Sequence, residues 1–376
     1  MRGRALALVA ALTLSGCGSF WPWSGPAKPK MPDPPPVTAA IASRVAWTVR
    51  VGASGVGFAP AVAAGAVFVA SSEGQVTRID PANGSVVWQV RLDKPLSGGV
   101  GSDGDTVVVA ERDGTLIALG ADGSKRWEVP LGGEAVTVPA VGQGVVVLRS
   151  SDNRIQAFDS DTGKRRWSFQ RQLPPLVLRQ TAGIAMAPGT AFIGLPGGRL
   201  VALSLQSGAQ RWEATVAQPR GATEIERISD IVGSPIVSGR DVCAASYHGK
   251  LACFDESSGR PAWSRDVSSA QGLDVDARLV TVVDEGDSIH AYSRSGSSVW
   301  KQDALARRGL SAPLSLGPVV VVGDSLGLVY LVSRENGAIA GRFTTDGSAI
   351  VTAPVASGRL AIVQTAAGAI TAIALE

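Results

Sequence analysis

Histidine and cysteine are nearly missing from this chain of 376 residues, which holds two His and three Cys: His248, His290, Cys17, Cys243 and Cys253. They are too few and too scattered for an ordinary Cys/His zinc framework, and neither His sits in a recognisable Ser or Cys nucleophile arrangement. Charge of either sign is also scarce. The formal balance is +3, of which two charges are Arg2 and Arg4 in an N-terminal leader, so the rest carries +1. No long basic run is present, and nothing electrostatic argues for a nucleic-acid partner. Aromatic residues make up only 5%. Apolar content is 45%, with Val and Ala prominent and 45 Gly, a mixture that excludes collagen, coiled coil and disorder and suits many short strands. Length alone suggests two or three domains of roughly 150 residues.

Residues 1–4 are short and positive, residues 5–14 are apolar, and small residues precede Cys17. Ten apolar residues fall short of the about 20 that a spanning helix needs, so residues 1–16 read as a signal peptide. Leu14-Ser15-Gly16-Cys17 resembles the lipobox of bacterial lipoproteins, which implies lipidation of Cys17 as the new N-terminus. In that family an Asp after the Cys favours retention at the inner membrane. Gly18 stands here, which points to the outer membrane. Seven prolines between Pro22 and Pro36 exclude a continuous helix or central strand, so residues 17–40 read as an extended tether. Trp21 and Trp23 within it suit a headgroup position or plain linker composition equally well.

The other seven Trp are regular: Trp47, Trp88, Trp127, Trp167, Trp212, Trp263 and Trp300, at intervals of 37 to 51 residues. Six of them follow a Gly by four residues, and a further unit ends in Gly337 with Gly341 where Trp is expected. Each unit runs from one β-branched strand such as Val107-Val108-Val109, through a Gly turn, into Leu116-Ile117-Ala118-Leu119 and then a strand carrying the Trp. With one more short strand at its start, a unit of about 41 residues holds four strands, the content of a β-propeller blade. Trp47 has no hairpin before it, and the last unit stops at Leu375 with no Trp strand after it. The N-terminal strand therefore completes the last blade. The expectation is an all-β, eight-bladed propeller of four-stranded antiparallel blades over residues 41–376, closed by an N-terminal strand.

Ala157-Phe158-Asp159-Ser160-Asp161-Thr162-Gly163-Lys164-Arg165-Arg166-Trp167 resembles the tryptophan-docking repeat of propellers related to quinoprotein alcohol dehydrogenases. The seven Trp thus read as structural blade docks rather than a ligand cage. A dehydrogenase of that kind, dependent on pyrroloquinoline quinone, needs a metal held by carboxylates and Asn, and in many members two adjacent cysteines. No two Cys are adjacent here, and the domain has only Asn83, Asn153 and Asn336. The reading is of a non-enzyme with no cofactor and no metal, the quinone-dependent protein being the alternative.

If Ser246 and Lys250 close a turn, Cys243 and Cys253 lie opposite each other, as a cross-strand disulfide or as two buried thiols. The two longest Trp intervals, 45 and 51, are consecutive and place two inserts on one rim. One is Arg171-Gln172-Leu173-Pro174-Pro175-Leu176-Val177-Leu178-Arg179, and the other Gly221-Ala222-Thr223-Glu224-Ile225-Glu226-Arg227-Ile228-Ser229-Asp230. Apolar anchors beside Arg are the composition of binding hot spots, while packing over the blade edge is the plainer use.

Taken with the lipobox and the eight-bladed repeat, these two inserts resemble the BamB family, propeller lipoproteins of the outer-membrane β-barrel assembly machinery. The resemblance implies a scaffold lipid-anchored at the periplasmic face of the outer membrane. It further implies binding to the POTRA domains of BamA, membership of the complex with its other subunits, and assistance to nascent outer-membrane proteins. The family's binding residues fall on Leu176, Leu178 and Arg179, with Gln180 where the family often has Gly, and the acidic segment on Glu224, Glu226, Arg227 and Asp230.

Overall fold

Runs such as Val107-Val108-Val109 and Val319-Val320-Val321-Val322 are apolar without alternation, the pattern of a strand covered on both faces. That is how they are placed. In the computed structural model, which describes residues 31–171, 176, 182–219, 221–223 and 225–376, every residue of Thr106–Ala110 and Val319–Gly323 is buried. The described strands form eight four-stranded antiparallel sheets, each with the strands in sequence order except one. Blade one comprises Ala61–Ala63, Ala66–Ala70, Gln75–Ile79 and Val86–Arg91, and the same order repeats through blade seven, which ends in Leu328–Ser333 and Ile339–Thr344. Blade eight takes Val355–Ser357, Leu360–Gln364 and Ala369–Leu375 from the end of the chain and Ser43–Arg50 from its beginning. The pairing runs from Ser43 opposite Leu375 to Arg50 opposite Ala369. The innermost strand of each blade packs against those of both neighbours, Ala61–Ala63 meeting Val355–Ser357, so the ring closes. Residues 41–376 therefore make one eight-bladed propeller rather than two or three domains.

The turn between the third and fourth strands explains the repeat. Asp159 accepts hydrogen bonds from the backbone of Asp161 and Thr162 and from the Thr162 hydroxyl, while Gly163 holds φ +69° and donates to the Asp159 carbonyl. A β-bulge then shifts the register at Ala157/Phe158, and the same shift recurs beside the corresponding position of every blade. The Trp that follows lies against the turn glycine of the next blade. A Cβ at Gly163 would stand 2.7 Å from the Trp127 ring, and one at Gly208 as close to Trp167. Only Gly both adopts the left-handed backbone and leaves room for the indole. Each indole N–H completes the dock on a backbone carbonyl of the receiving turn, Trp127 on Ser160 at 2.8 Å and Trp167 on Leu205 at 2.8 Å.

Gly341 in place of an eighth Trp now has a physical reason. It pairs with Leu331 as Trp167 pairs with Ala157. The blade it faces has no turn between its third and fourth strands, because those are Ala369–Leu375 and Ser43–Arg50. An indole at 341 would have no turn glycine to lie on and no turn carbonyl to bond.

The compact unit that contains the propeller begins at Pro32, so residues 32–40, read from sequence as the end of the tether, belong with it. Cys17, Trp21 and Trp23 lie outside the described residues, as do Leu178, Arg179 and Glu224. No helix among the described residues is long and apolar enough to cross a membrane.

Candidate functional site

Both inserts join the outer strand of one blade to the inner strand of the next. The first lies between Arg165–Gln170 and Ile184–Ala187, and the second between Gln210–Thr215 and Ile231–Ser238. Both therefore emerge at the same end of blade four, whose second strand, Thr190–Leu195, is buried throughout. Of the first insert the structure describes Arg171 and Leu176. Leu176 is 45% exposed, a large apolar side chain held out to solvent. Arg171 pairs with Glu213 on the outer strand of blade four, and Arg199 also reaches that carboxylate at 3.7 Å.

The second insert is tied to itself. The Glu226 carboxylate accepts the backbone N–H groups of Ala222 at 2.7 Å and Thr223 at 3.1 Å, and these bonds hold its pKa below the usual carboxylate value. Arg227 turns back to the Gly221 carbonyl at 3.1 Å. Ile225 is left at the tip, 68% exposed. Glu226 and Arg227 thus shape the loop, and Ile225 is the side chain it presents. The sequence carried a signal for this residue, an isoleucine inside an otherwise charged segment, but the charges around it draw attention first.

Asp230 is only 4% exposed, and its carboxylate accepts the Gly197 N–H at 2.9 Å from the adjacent hairpin of blade four. Its carbonyl accepts the Tyr247 N–H at 2.9 Å from blade five. The residue fastens the base of the insert to two blades. Beneath the same rim Arg149 is buried, bonded to the Gly194 carbonyl at 3.3 Å. Desolvation pushes its pKa down to about 10 against the pull of the Asp230 charge. Neither burial is readable from composition, since an Arg at the end of Val145–Arg149 looks like an ordinary strand terminus.

Cys243 and Cys253 occupy opposite positions in the strands Asp241–Ser246 and Leu251–Asp255, 4.0 Å apart at Cα, and are joined as a disulfide. The bond is buried in the core between blades five and six. Along the axis of the ring lies a chamber of about 570 Å³, walled largely by Val, Pro and Ala from the inner strands, with Glu134 and Asp274 among its few carboxylates. Burial raises the Asp274 pKa, and its carboxylate accepts the Ser315 N–H at 2.5 Å. No group of three His, Cys, Asp or Glu among the described residues could hold a metal ion.

A family model described as outer membrane protein assembly factor BamB matches residues 39–91, 72–302 and 285–376. An outer membrane protein assembly factor BamB of Bordetella pertussis is 41% identical over 97% of this chain and 95% of its own length. One of Burkholderia pseudomallei is 38% identical over 86% of each. The crystal structure of BamB from Moraxella catarrhalis superposes with a TM-score of 0.81 at 29% identity, covering 89% of this chain and all of that one. A quinohemoprotein alcohol dehydrogenase from Comamonas testosteroni shares the fold alone, with a TM-score of 0.68 at 14% identity over 89% of this chain and 76% of its own. By sequence over nearly its whole length and by its architecture, the chain belongs to the BamB family of outer membrane protein assembly factors.

Proposed function

We propose that the protein is a non-catalytic scaffold of the outer-membrane β-barrel assembly machinery, lipid-anchored through Cys17 at the periplasmic face. In this reading it binds the POTRA domains of the barrel-forming subunit and so assists insertion of outer-membrane proteins. The observation that carries the reading is the pair of inserts flanking blade four, which hold Leu176 and Ile225 out to solvent. Exposed apolar anchors ringed by polar side chains suit a protein partner better than a small substrate. In the first insert Leu176 and Leu178 bury against the partner, and Arg179 pairs with a carboxylate or carbonyl at the edge. In the second, Ile225 makes the contact that Glu224, Glu226, Arg227 and Asp230 frame.

The test is an affinity pulldown from solubilised membranes. The wild-type protein should recover the barrel-forming subunit, and replacement of Leu176, Leu178 and Arg179 by Ala should weaken recovery at least about tenfold, as loss of a hot-spot cluster does. The thermal transition should stay in place. Undiminished recovery would remove these residues from the proposal. Quinone-dependent dye reduction after addition of cofactor and calcium would overturn the non-catalytic reading.

A further inference from the structure

The seam between blades seven and eight lacks a Trp dock, yet it is not left open. The backbone N–H groups of Thr38 and Ala39 donate to the Ile339 carbonyl at 2.9 and 3.2 Å, and that of Ile41 to the Ala340 carbonyl at 3.0 Å. These acceptors sit in the strand Ile339–Thr344, immediately before Gly341. The Ile41 side chain packs into the cluster shared by the two blades, with Leu331 and Ala340 on one side and Ile373 and Leu375 on the other. Upstream, Arg342 donates to the Pro35 carbonyl at 3.2 Å.

The segment then reaches Arg308, in the connection between blades six and seven. Arg308 is fully buried and pairs with the equally buried Asp324 at 2.7 Å, and its remaining arm donates to the Pro32 carbonyl at 2.6 Å. The Tyr330 hydroxyl donates to the same carboxylate at 3.3 Å, and burial together with that charge pushes its pKa up to about 12. Burying a charge is costly unless it is paired and hydrogen-bonded, so the Pro32 carbonyl is part of what makes this ion pair tolerable.

We propose that residues 32–41 are a strap: they replace the eighth indole dock, seal the ring at its closure point and fix the place where the tether leaves the propeller. The exit lies on the face that carries the two inserts. One path of backbone bonds follows that face from the second insert to the strap. Tyr247 donates to Asp230, Glu285 to Ser268, Arg307 to Gly286 and Ser325 to Arg308. His248 bridges to the Ser268 hydroxyl at 2.7 Å to complete it. Resting on the reading of Cys17 as the lipid anchor, the strap presents the insert face, rather than its opposite, at the root of the tether.

Two measurements on the isolated full-length chain in detergent test the strap without any partner, so their failure is distinct from failure of partner binding. In hydrogen exchange, the amides of Thr38, Ala39 and Ile41 should be protected at least about tenfold more than that of the exposed Val37. In limited trypsin digestion, Arg44, which pairs with Glu376 at 3.2 Å beyond the strap, should be spared. The double substitution Thr38→Pro and Ile41→Pro removes two of the three N–H donors and should open Arg44 to trypsin, whereas Thr38→Ala, which keeps its donor, should not. Equal exchange at Val37 and at Thr38, Ala39 and Ile41, or cleavage of the wild type at Arg44 as fast as in the double-proline variant, would overturn the proposal.

Discussion

Where Trp167 lies on Gly208, one indole ring and one N–H bond to Leu205 join blades three and four; where Gly341 faces blade eight, three backbone N–H groups and the Ile41 side chain do the joining. The first arrangement is built from residues 41 positions apart and is repeated wherever a turn exists to receive it. The second draws on a segment some 300 residues away in sequence, at a seam where the turn cannot exist. A repeat protein can encode every junction locally except the one where its ends meet, and there the flanking sequence must supply what the repeat cannot.

The largest effect should come from cutting out a docked indole. Trp167→Ala leaves a cavity between two blades and strips the Leu205 carbonyl of its donor, which should cost about 3–5 kcal/mol in denaturant unfolding. At the upstream end of the strap, Arg308→Met leaves the buried Asp324 without its guanidinium partner and the Pro32 carbonyl without its donor, and should cost about 3 kcal/mol. The turn glycines sharpen the contrast. Gly208 is at φ +72°, and an added Cβ would stand 2.7 Å from the Trp167 ring, so Gly208→Ala should destabilise by about 2 kcal/mol. Gly341 has no such backbone, and a Cβ there meets only the Leu331 side chain, 3.0 Å from its Cδ1, so Gly341→Ala should stay within about 1 kcal/mol. Equal losses at 208 and 341, read by calorimetry, would erase the distinction between the two kinds of seam.

The smallest effect is acid sensitivity. The Arg166 guanidinium and the Thr162 hydroxyl hold the Asp159 carboxyl down at about 2 in the folded chain. A carboxylate depressed below its unfolded value, near 3.9, stabilises the fold above that value, and the contribution is lost as pH falls from about 4 to about 2. Solvent screening keeps it small because the group is near the surface. The melting temperature of Asp159→Asn should therefore approach that of the wild type as pH falls through this window, while the two stay apart at pH 7. Blade eight, with no such turn, contributes nothing to this slope.

Blade number, strand order and closure by the N-terminal strand were legible in the sequence because each unit repeats the same Gly and Trp at nearly constant spacing. The positions of the inserts were legible for the same reason, as departures from that spacing. Which side chains the inserts present was not. Glu226 and Arg227 look like recognition residues in a charged segment, but the loop satisfies its own backbone at Gly221 and Ala222 with them, and Ile225 is what remains outside. Asp230 and Arg149 were opaque because burial at a rim depends on which hairpins of neighbouring blades pass over it. The strap was hidden by composition, since a Pro-rich segment reads as free linker until an exposed strand edge and a buried Arg are found to want its carbonyls and N–H groups.

The pairing of Ser43–Arg50 with Ala369–Leu375 also sets an order of events. As the chain is made and exported from its N-terminus, seven blades can assemble in turn, but the strand waiting at the front has no partner until the last strand arrives. Until then the molecule carries an open sheet edge and an unfinished core. Contacts this distant in sequence form slowly, so the interval between arrival of blade seven and arrival of Leu375 is when the protein is most exposed to aggregation and proteolysis.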